Sequence, residues 1–278
     1  MRFDVNLSIL FSQLPLTEQL AAAARAGFDA VEMWWPFAED IPRDVEVESL
    51  VDSVSESGLA LVALNMTTGN AATGEHGLVT VPGQHARFSD NLDVTVAIAE
   101  RLGTRVIHAP FGNPPPDASQ AAVREAVMDN LVVAAQQAAR IGAQIVIEPL
   151  NPIDFPRFGL HRVEQAIEII DLLEAEAGVT VGVLFDVYHI QRSEGDLIAR
   201  IEAYADRFGH VQIADVPDRM HPGTGEVAFE RVLPALERSG YRGYIGLEYR
   251  PSADPTETFQ WLPTERRRFT PPSPSDGR

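Results

Sequence analysis

Short apolar runs alternate with longer stretches of helical periodicity along the chain. The strand candidates are Phe3–Ser8, Ala30–Met33, Ala60–Asn65, Arg105–His108, Gln144–Glu148, Val181–Asp186, His210–Asp215 and Tyr244–Glu248. Most are near-continuous apolar runs rather than apolar–polar alternations, the pattern of parallel strands buried on both faces. The helix candidates between them are Thr17–Ala26, Val45–Glu56, Ser89–Leu102, Gln120–Ile141, Val163–Ala177 and Phe229–Ser239. Gly27, Gly58, Gly103, Gly142, Gly178 and Gly240 close them, each just ahead of a strand. A glycine there supplies the left-handed residue that ends a helix. A β-then-α order repeated in this way builds either a barrel or a doubly wound sheet. Eight strands favour a single (β/α)8 TIM barrel of the α/β class. Neither a GxGxxG nor a GxxxxGK loop follows the first strand, which weighs against a dinucleotide-binding sheet.

Length agrees with that choice: the chain has 278 residues, and one such barrel takes about 250. The barrel is expected over residues 1–269. The remainder, 270–278, reads as a disordered tail, being rich in Pro and Ser. Two connections are long: Thr67–Gln84, expected over the barrel mouth, and the proline-rich Pro110–Ala118.

Composition narrows the chemistry. Forty acidic residues face 22 basic ones, for a net charge of −18. Such a chain repels nucleic-acid phosphates and anionic membranes, so the expected partner is a small molecule. There is no cysteine, which removes thiolate nucleophiles, disulfides and Cys-ligated metals. There is no lysine either, which removes Schiff-base catalysis and covalent pyridoxal phosphate. Asp4 and Asn6 interrupt the apolar N-terminal run, unlike a signal peptide. No apolar run reaches the length of a membrane span. The expected location is the cytoplasm, and homo-oligomerisation is the ordinary expectation for an enzyme of this size.

Four apolar runs end in, or close to, a polar residue: Glu148, Asp186, Gln212 and Glu248. The C-terminal ends of all barrel strands face one cavity, so these four can converge across long sequence gaps. Any one of them alone reads equally as a helix cap or a solvated strand end. Three carboxylates in one cavity repel each other and raise one another's pKa values, and a divalent cation relieves this. Three carboxylates and an amide oxygen suit Mg2+ or Mn2+. Around them, His108 is either a pocket residue or a satisfied core histidine. His189 either donates to a carboxylate or substrate or makes a local bond in a first helical turn. Trp34 either walls the pocket or packs structurally, as does Trp35. Arg219, His221 and Glu226 share a glycine-rich loop that can hold a substrate carboxylate.

Longer motifs carry a family likeness. VNLSILF (Val5–Phe11), AGFDAVEMWWPF (Ala26–Phe37), IEPLN (Ile147–Asn151), FDVYHIQ (Phe185–Gln191), HVQIADVPDRMHPGTGE (His210–Glu226) and GYIGLEYRP (Gly243–Pro251) together span most of the chain. The sequence resembles hydroxypyruvate isomerases, within the xylose-isomerase-like barrel group that also holds ketose 3-epimerases and endonuclease IV. The resemblance implies a metal site of Glu148, Asp186, Gln212 and Glu248, with Gln212 in place of an epimerase histidine. It further implies that Glu148 and Glu248 exchange the proton that interconverts hydroxypyruvate and 2-hydroxy-3-oxopropanoate. His108, His189, Arg219, His221 and Trp34 are the expected substrate contacts. HAPFG (His108–Gly112) and the Trp34–Trp35 pair depart from the resemblance. The alternatives are isomerisation or 3-epimerisation of another small sugar acid such as 2-oxo-tetronate, DNA repair, and sugar-acid binding without catalysis. Seven histidines on a chain of net charge −18 count against DNA repair.

Overall fold

The computed structural model describes residues 1–70, 74–251 and 254–268. Eight parallel strands close into a barrel in sequence order: β1 (Arg2–Asn6), β2 (Ala30–Met33), β3 (Ala60–Asn65), β4 (Val106–His108), β5 (Gln144–Ile147), β6 (Gly182–Asp186), β7 (Phe208–Ile213) and β8 (Tyr244–Leu247), with β8 pairing back onto β1. This is the (β/α)8 barrel that the apolar runs predict. The helices are α1 (Leu7–Leu10), α2 (Leu16–Arg25), α3 (Asp44–Ser57), α4 (His85–Leu102), α5 (Gln120–Arg140), α6 (Val163–Ala177), α7 (Val187–Ser193), α8 (Leu197–Tyr204) and α9 (Phe229–Arg238). All six glycines expected to end helices adopt left-handed φ, between +65° and +93°. The tail over 270–278 lies outside the described residues. Among those described, no helix is long and apolar enough to cross a membrane.

Three short helices go beyond the sequence reading, each for a local reason. Strand β1 stops at Asn6 rather than Ser8 because the Asn6 side chain accepts the Ser8 N–H at 3.0 Å and caps α1. In the same way Asp186 ends β6 and caps α7 by accepting the Tyr188 N–H at 2.8 Å. Helix α8 has only eight residues, too few for a periodic pattern to stand out.

Register decides which polar side chains meet inside the barrel. Asn6 pairs with Glu32, Asp4 with Gly246, Gly246 with Gln212, and Gln212 with Asp186. Gly246 carries no side chain for a steric reason: a Cβ there would lie 2.6 Å from Glu32 Oε2. The long loops over the mouth are also tied down. Gly77 bridges to Phe111, and a Cβ on Gly77 would meet the Pro110 carbonyl at 2.0 Å. Arg87 joins Asp40 at 2.5 Å and Glu75 at 2.9 Å, fastening the same loop to α4. Residues 71–73 of the loop lie outside the described residues.

Candidate active site

Strands β5, β6 and β8 each deliver a carboxylate to the C-terminal mouth. Glu148 follows β5, Asp186 ends β6 and Glu248 follows β8; all three are buried, with exposures of 7%, 0% and 4%. A cavity of about 340 Å³ lies over them. Glu148, Glu248, His108, His189, Arg219 and Trp34 line it, along with Asn65, Thr68 and His76. Asp186 and Gln212, register partners on β6 and β7, are buried and do not line it.

Burial dominates the electrostatics here. It pushes Glu148 well above the usual carboxylate range, and the charges of Glu248 and Asp186 push the same way. Burial also raises Glu248 to about 7 and Asp186 to about 6, although Arg219 pulls both down. Arg219 reaches in from the loop after β7, donates to Glu248 and stands 3.6 Å from Asp186. It sits over the Tyr188 ring at 5.2 Å. Its backbone is left-handed, with φ +57°. Asp215 holds that loop in shape by accepting four backbone N–H groups, from Val216, Gly223, Gly225 and Val227. Glu248 also accepts from the Trp34 indole at 2.7 Å and the Asn6 amide at 3.2 Å.

The two histidines are donors or acceptors by virtue of their neighbours. The backbone N–H of Asn151 donates to His189 Nδ1 at 3.1 Å, and the Asn151 amide lies 2.9 Å from the same atom. His189 therefore carries its proton on Nε2, assigned from the hydrogen-bond network. That nitrogen faces Asp186 Oδ2 at 3.6 Å. Burial, helped by Arg219 and Arg192, holds His189 well below its ordinary pKa. Burial likewise pushes His108 down to about 3, and its unpaired Nε2 points at Glu148 from 3.7 Å.

A second buried cluster lies on the β1–β2–β7 side of the barrel. Glu32 accepts from His210 Nε2 at 2.6 Å, from the Gln212 amide at 2.7 Å and from the Asn6 amide at 2.9 Å. Burial pushes Glu32 up, but His210 and the two amides outweigh it and leave the group below its ordinary value. Asp4 is driven well above the carboxylate range by burial and by the Glu32 charge. Its oxygens meet no hydrogen-bond donor.

Among the described residues, two groups of buried side chains have the composition and spacing to hold a divalent cation: Glu148, Asp186 and His189, and Asp4, Glu32 and His210. The first fits better. Glu148 Oε1, Asp186 Oδ2 and Gln212 Oε1 are buried oxygens without a hydrogen-bond donor. Buried acceptors left unpaired are costly, and a ligand or ion removes the cost. His189 presents N–H rather than a lone pair to this space, which leaves a set of oxygens, the donors of hard cations. In the second group the Glu32 oxygens are already taken.

The structure thus brings together Glu148, Asp186, Glu248, Arg219, His108, His189 and Trp34. Gln212 lies within β7 rather than at its end, with its amide on Glu32 and its carbonyl oxygen unpaired. His221 does not line the cavity; its ring leans on Tyr249, 6.1 Å between centroids. Glu226 is exposed, while Trp35 lines the cavity beside Trp34, bonds the Glu39 carbonyl at 2.9 Å and packs on Phe37. Sequence reasoning missed Asn6, Glu32, His210 and Asn151. Of these, Glu32 left a readable signal: a lone acid inside the apolar run Ala30–Met33.

Comparisons with known proteins bear on the fold and the family. The chain is 41% identical over 270 residues to a Streptomyces coelicolor protein provisionally named hydroxypyruvate isomerase, covering 96% of this chain and 97% of that one. It is 32% identical to the hydroxypyruvate isomerase of Escherichia coli, over 94% of this chain and 98% of that one. A 2-oxo-tetronate isomerase of Cupriavidus necator is 34% identical, over 94% and 97%. Among solved structures, a Brucella melitensis protein described as an AP endonuclease of family 2 superposes with a TM-score of 0.85 at 33% identity, over 94% and 97%. The family model for the xylose isomerase-like TIM barrel matches residues 20–265. The chain belongs to the xylose-isomerase-like TIM-barrel family, which includes hydroxypyruvate isomerase homologues.

Proposed function

We propose that the chain interconverts hydroxypyruvate and 2-hydroxy-3-oxopropanoate (tartronate semialdehyde) through an enediolate. Family membership makes it an enzyme of the isomerase and epimerase type that acts on small sugars or sugar acids. The observation that carries the finer reading is the pair Glu148 and Glu248. They stand on β5 and β8, walls of one cavity of about 340 Å³, and burial raises both pKa values. Carboxyl groups so raised can accept and return a proton near neutral pH.

In the forward direction one carboxylate removes a proton from C3 of hydroxypyruvate, and the electron pair moves to give the C2–C3 enediolate. The second carboxyl delivers a proton to C2. The C3 hydroxyl gives up its proton and becomes the aldehyde oxygen, while the former C2 carbonyl oxygen gains one. Trp34 and Asn6 hold the Glu248 carboxylate in place by hydrogen bonds. His189 Nε2–H and the His108 ring are within reach of substrate oxygens at the cavity wall. Arg219 also faces the cavity and pairs with a substrate carboxylate. Mg2+ or Mn2+, held by Glu148, Asp186 and Gln212, and by Glu248 once Arg219 turns from it to the substrate carboxylate, would supply positive charge for the developing oxyanion.

The net charge of −18 supports a small-molecule substrate rather than a nucleic acid. A second reading, a four-carbon acid such as 2-oxo-tetronate, is favoured by the room available. A cleft of about 970 Å³ adjoins the cavity and shares Trp34 and Arg219 with it. NMR in D2O of hydroxypyruvate beside a panel of small ketoses and 2-oxo sugar acids tests both. Turnover of hydroxypyruvate with the highest kcat/KM is expected. A higher kcat/KM for a four-carbon acid would replace the substrate and keep the mechanism.

A further inference from the structure

A carboxylate can only accept hydrogen bonds, whereas a carboxamide donates from one end and accepts at the other. A buried carboxylate therefore dictates which end of a neighbouring amide turns toward it. Glu32 has two such neighbours: Asn6, which also bonds Glu248, and Gln212, which stands beside Asp186 in the sheet. The Gln212 NH2 group lies on Glu32 Oε1 at 2.7 Å, and its carbonyl oxygen is left buried without a donor, on the residue that pairs in register with Asp186. Asn6 is fixed at both ends. Its oxygen accepts the Ser8 N–H at 3.0 Å, and its NH2 group divides between Glu32 at 2.9 Å and Glu248 at 3.2 Å.

Turning either amide over would set oxygen against oxygen in a buried site. Glu32 cannot swing aside to relieve this. His210 grips its other oxygen at 2.6 Å, and the vacancy at Gly246 is filled by the carboxylate itself. Glu32 is 2% exposed and does not line the cavity. Besides the charge it presents to Glu148, Asp186 and Glu248, it meets the site through the two amides.

We propose that Glu32 is a positioning residue: it turns the Gln212 carbonyl oxygen toward the cation and substrate site and the Asn6 NH2 toward Glu248. The proposal rests on the reading that a divalent cation and a small acid occupy the cavity.

Glu32→Gln keeps the shape and replaces one acceptor oxygen with a donor. In E32Q the Gln212 amide is free to reverse and present NH2 to the cavity. The expected loss of Mn2+ affinity by titration calorimetry is about 10–100-fold, the usual effect of removing an outer-shell partner. The double variant E32Q/Q212E reverses the polarity of the pair. The new amide at position 32 donates to the new carboxylate at position 212, whose other oxygen faces the cavity again. Recovery of Mn2+ affinity to within several-fold of wild type is expected. A double variant no better than E32Q would mean that Glu32 serves the fold alone and would overturn the proposal.

Wild-type NMR decides the matter even if E32Q fails to fold. The side-chain NH2 protons of Gln212 and Asn6 should be protected from exchange, and on Mg2+ addition the Gln212 Cδ resonance should move. Gln212 NH2 protons in rapid exchange with solvent would overturn the proposal. If wild type binds neither Mg2+ nor Mn2+, the cation reading fails separately, and NH2 protection still decides the orientation.

Discussion

The barrel buries two acidic clusters of nearly the same composition and equal depth, and they behave in opposite ways. On the β1–β2–β7 side, Glu32 is saturated by His210, Gln212 and Asn6 and is held below its ordinary pKa. On the β5–β6–β8 side, Glu148 and Asp186 keep unpaired oxygens, and Glu148, Asp186 and Glu248 all have raised pKa values. Burial is common to both, so burial does not mark the active site. What marks it is unfinished hydrogen bonding around groups that are costly to leave unfinished. One cluster serves as a framework, and the other keeps its valences for a ligand.

If that division is right, substitutions in the open cluster should cost activity and little stability. E148Q and E248Q should each lower kcat for hydroxypyruvate by ~10²–10⁴-fold, the usual worth of general acid–base catalysis. Cation occupancy is to be measured alongside by calorimetry. Near-wild-type turnover in both variants would remove the proton-transfer assignment. The closed cluster should respond in stability. His210→Ala takes the nearest donor from a buried carboxylate, and breaking such a pair costs about 3–5 kcal/mol. Urea unfolding measures this, and a loss under about 1 kcal/mol would erase the contrast between the clusters.

The pH dependence sharpens the comparison further. The Glu248 pKa rises from 4.5 to about 7 in the fold, so the folded chain holds this proton more tightly than the unfolded one. Stability from that preference is complete below pH 4.5 and is lost as pH rises through about 7. Asp186 repeats the pattern in a lower window, between 3.8 and about 6. With chelator present, the Tm of E248Q should gain on that of wild type across the upper window, by about 2–4 °C per kcal/mol for a chain of this size. Equal Tm values at every pH would place Glu248 outside the set of strained groups. The smallest effect concerns Arg219. Arg219→Gln should chiefly raise KM for a carboxylate-bearing substrate and leave KM for a neutral sugar nearly unchanged, in initial-rate assays over the same panel.

The fold was largely legible because buried parallel strands are apolar throughout and the αβ turns need left-handed glycines. Both are local facts, written into neighbouring residues. Glu148, Asp186 and Glu248 were legible for a related reason, since each breaks an apolar run at the point where a barrel strand opens to the cavity. The pairing of Glu32 with His210 was not, although Glu32 itself stands out as a lone acid in an apolar run. The partnership spans 178 residues, and only the register of β1, β2, β7 and β8 brings it about. Gln212 was found as a polar residue near the end of a run, but its orientation depends on Glu32 and was therefore hidden as well. Helix α7 was obscured because its cap, Asp186, also belongs to the site.

Trp34 combines two properties described separately above: its indole N–H is bonded to Glu248 at 2.7 Å, and 37% of the residue is open to solvent at the cavity rim. Indole emission shifts with the electric field along the ring, and a carboxylate on the N–H is a strong local source of field. Of the other two tryptophans, Trp35 lines the same cavity but gives its N–H to the Glu39 carbonyl, and Trp261 lies against Phe3. A change of charge or ligation at Glu248 is therefore written first into the indole that bonds it. The protein carries its own optical gauge of the group proposed to move the proton, readable without label, coupled assay or turnover.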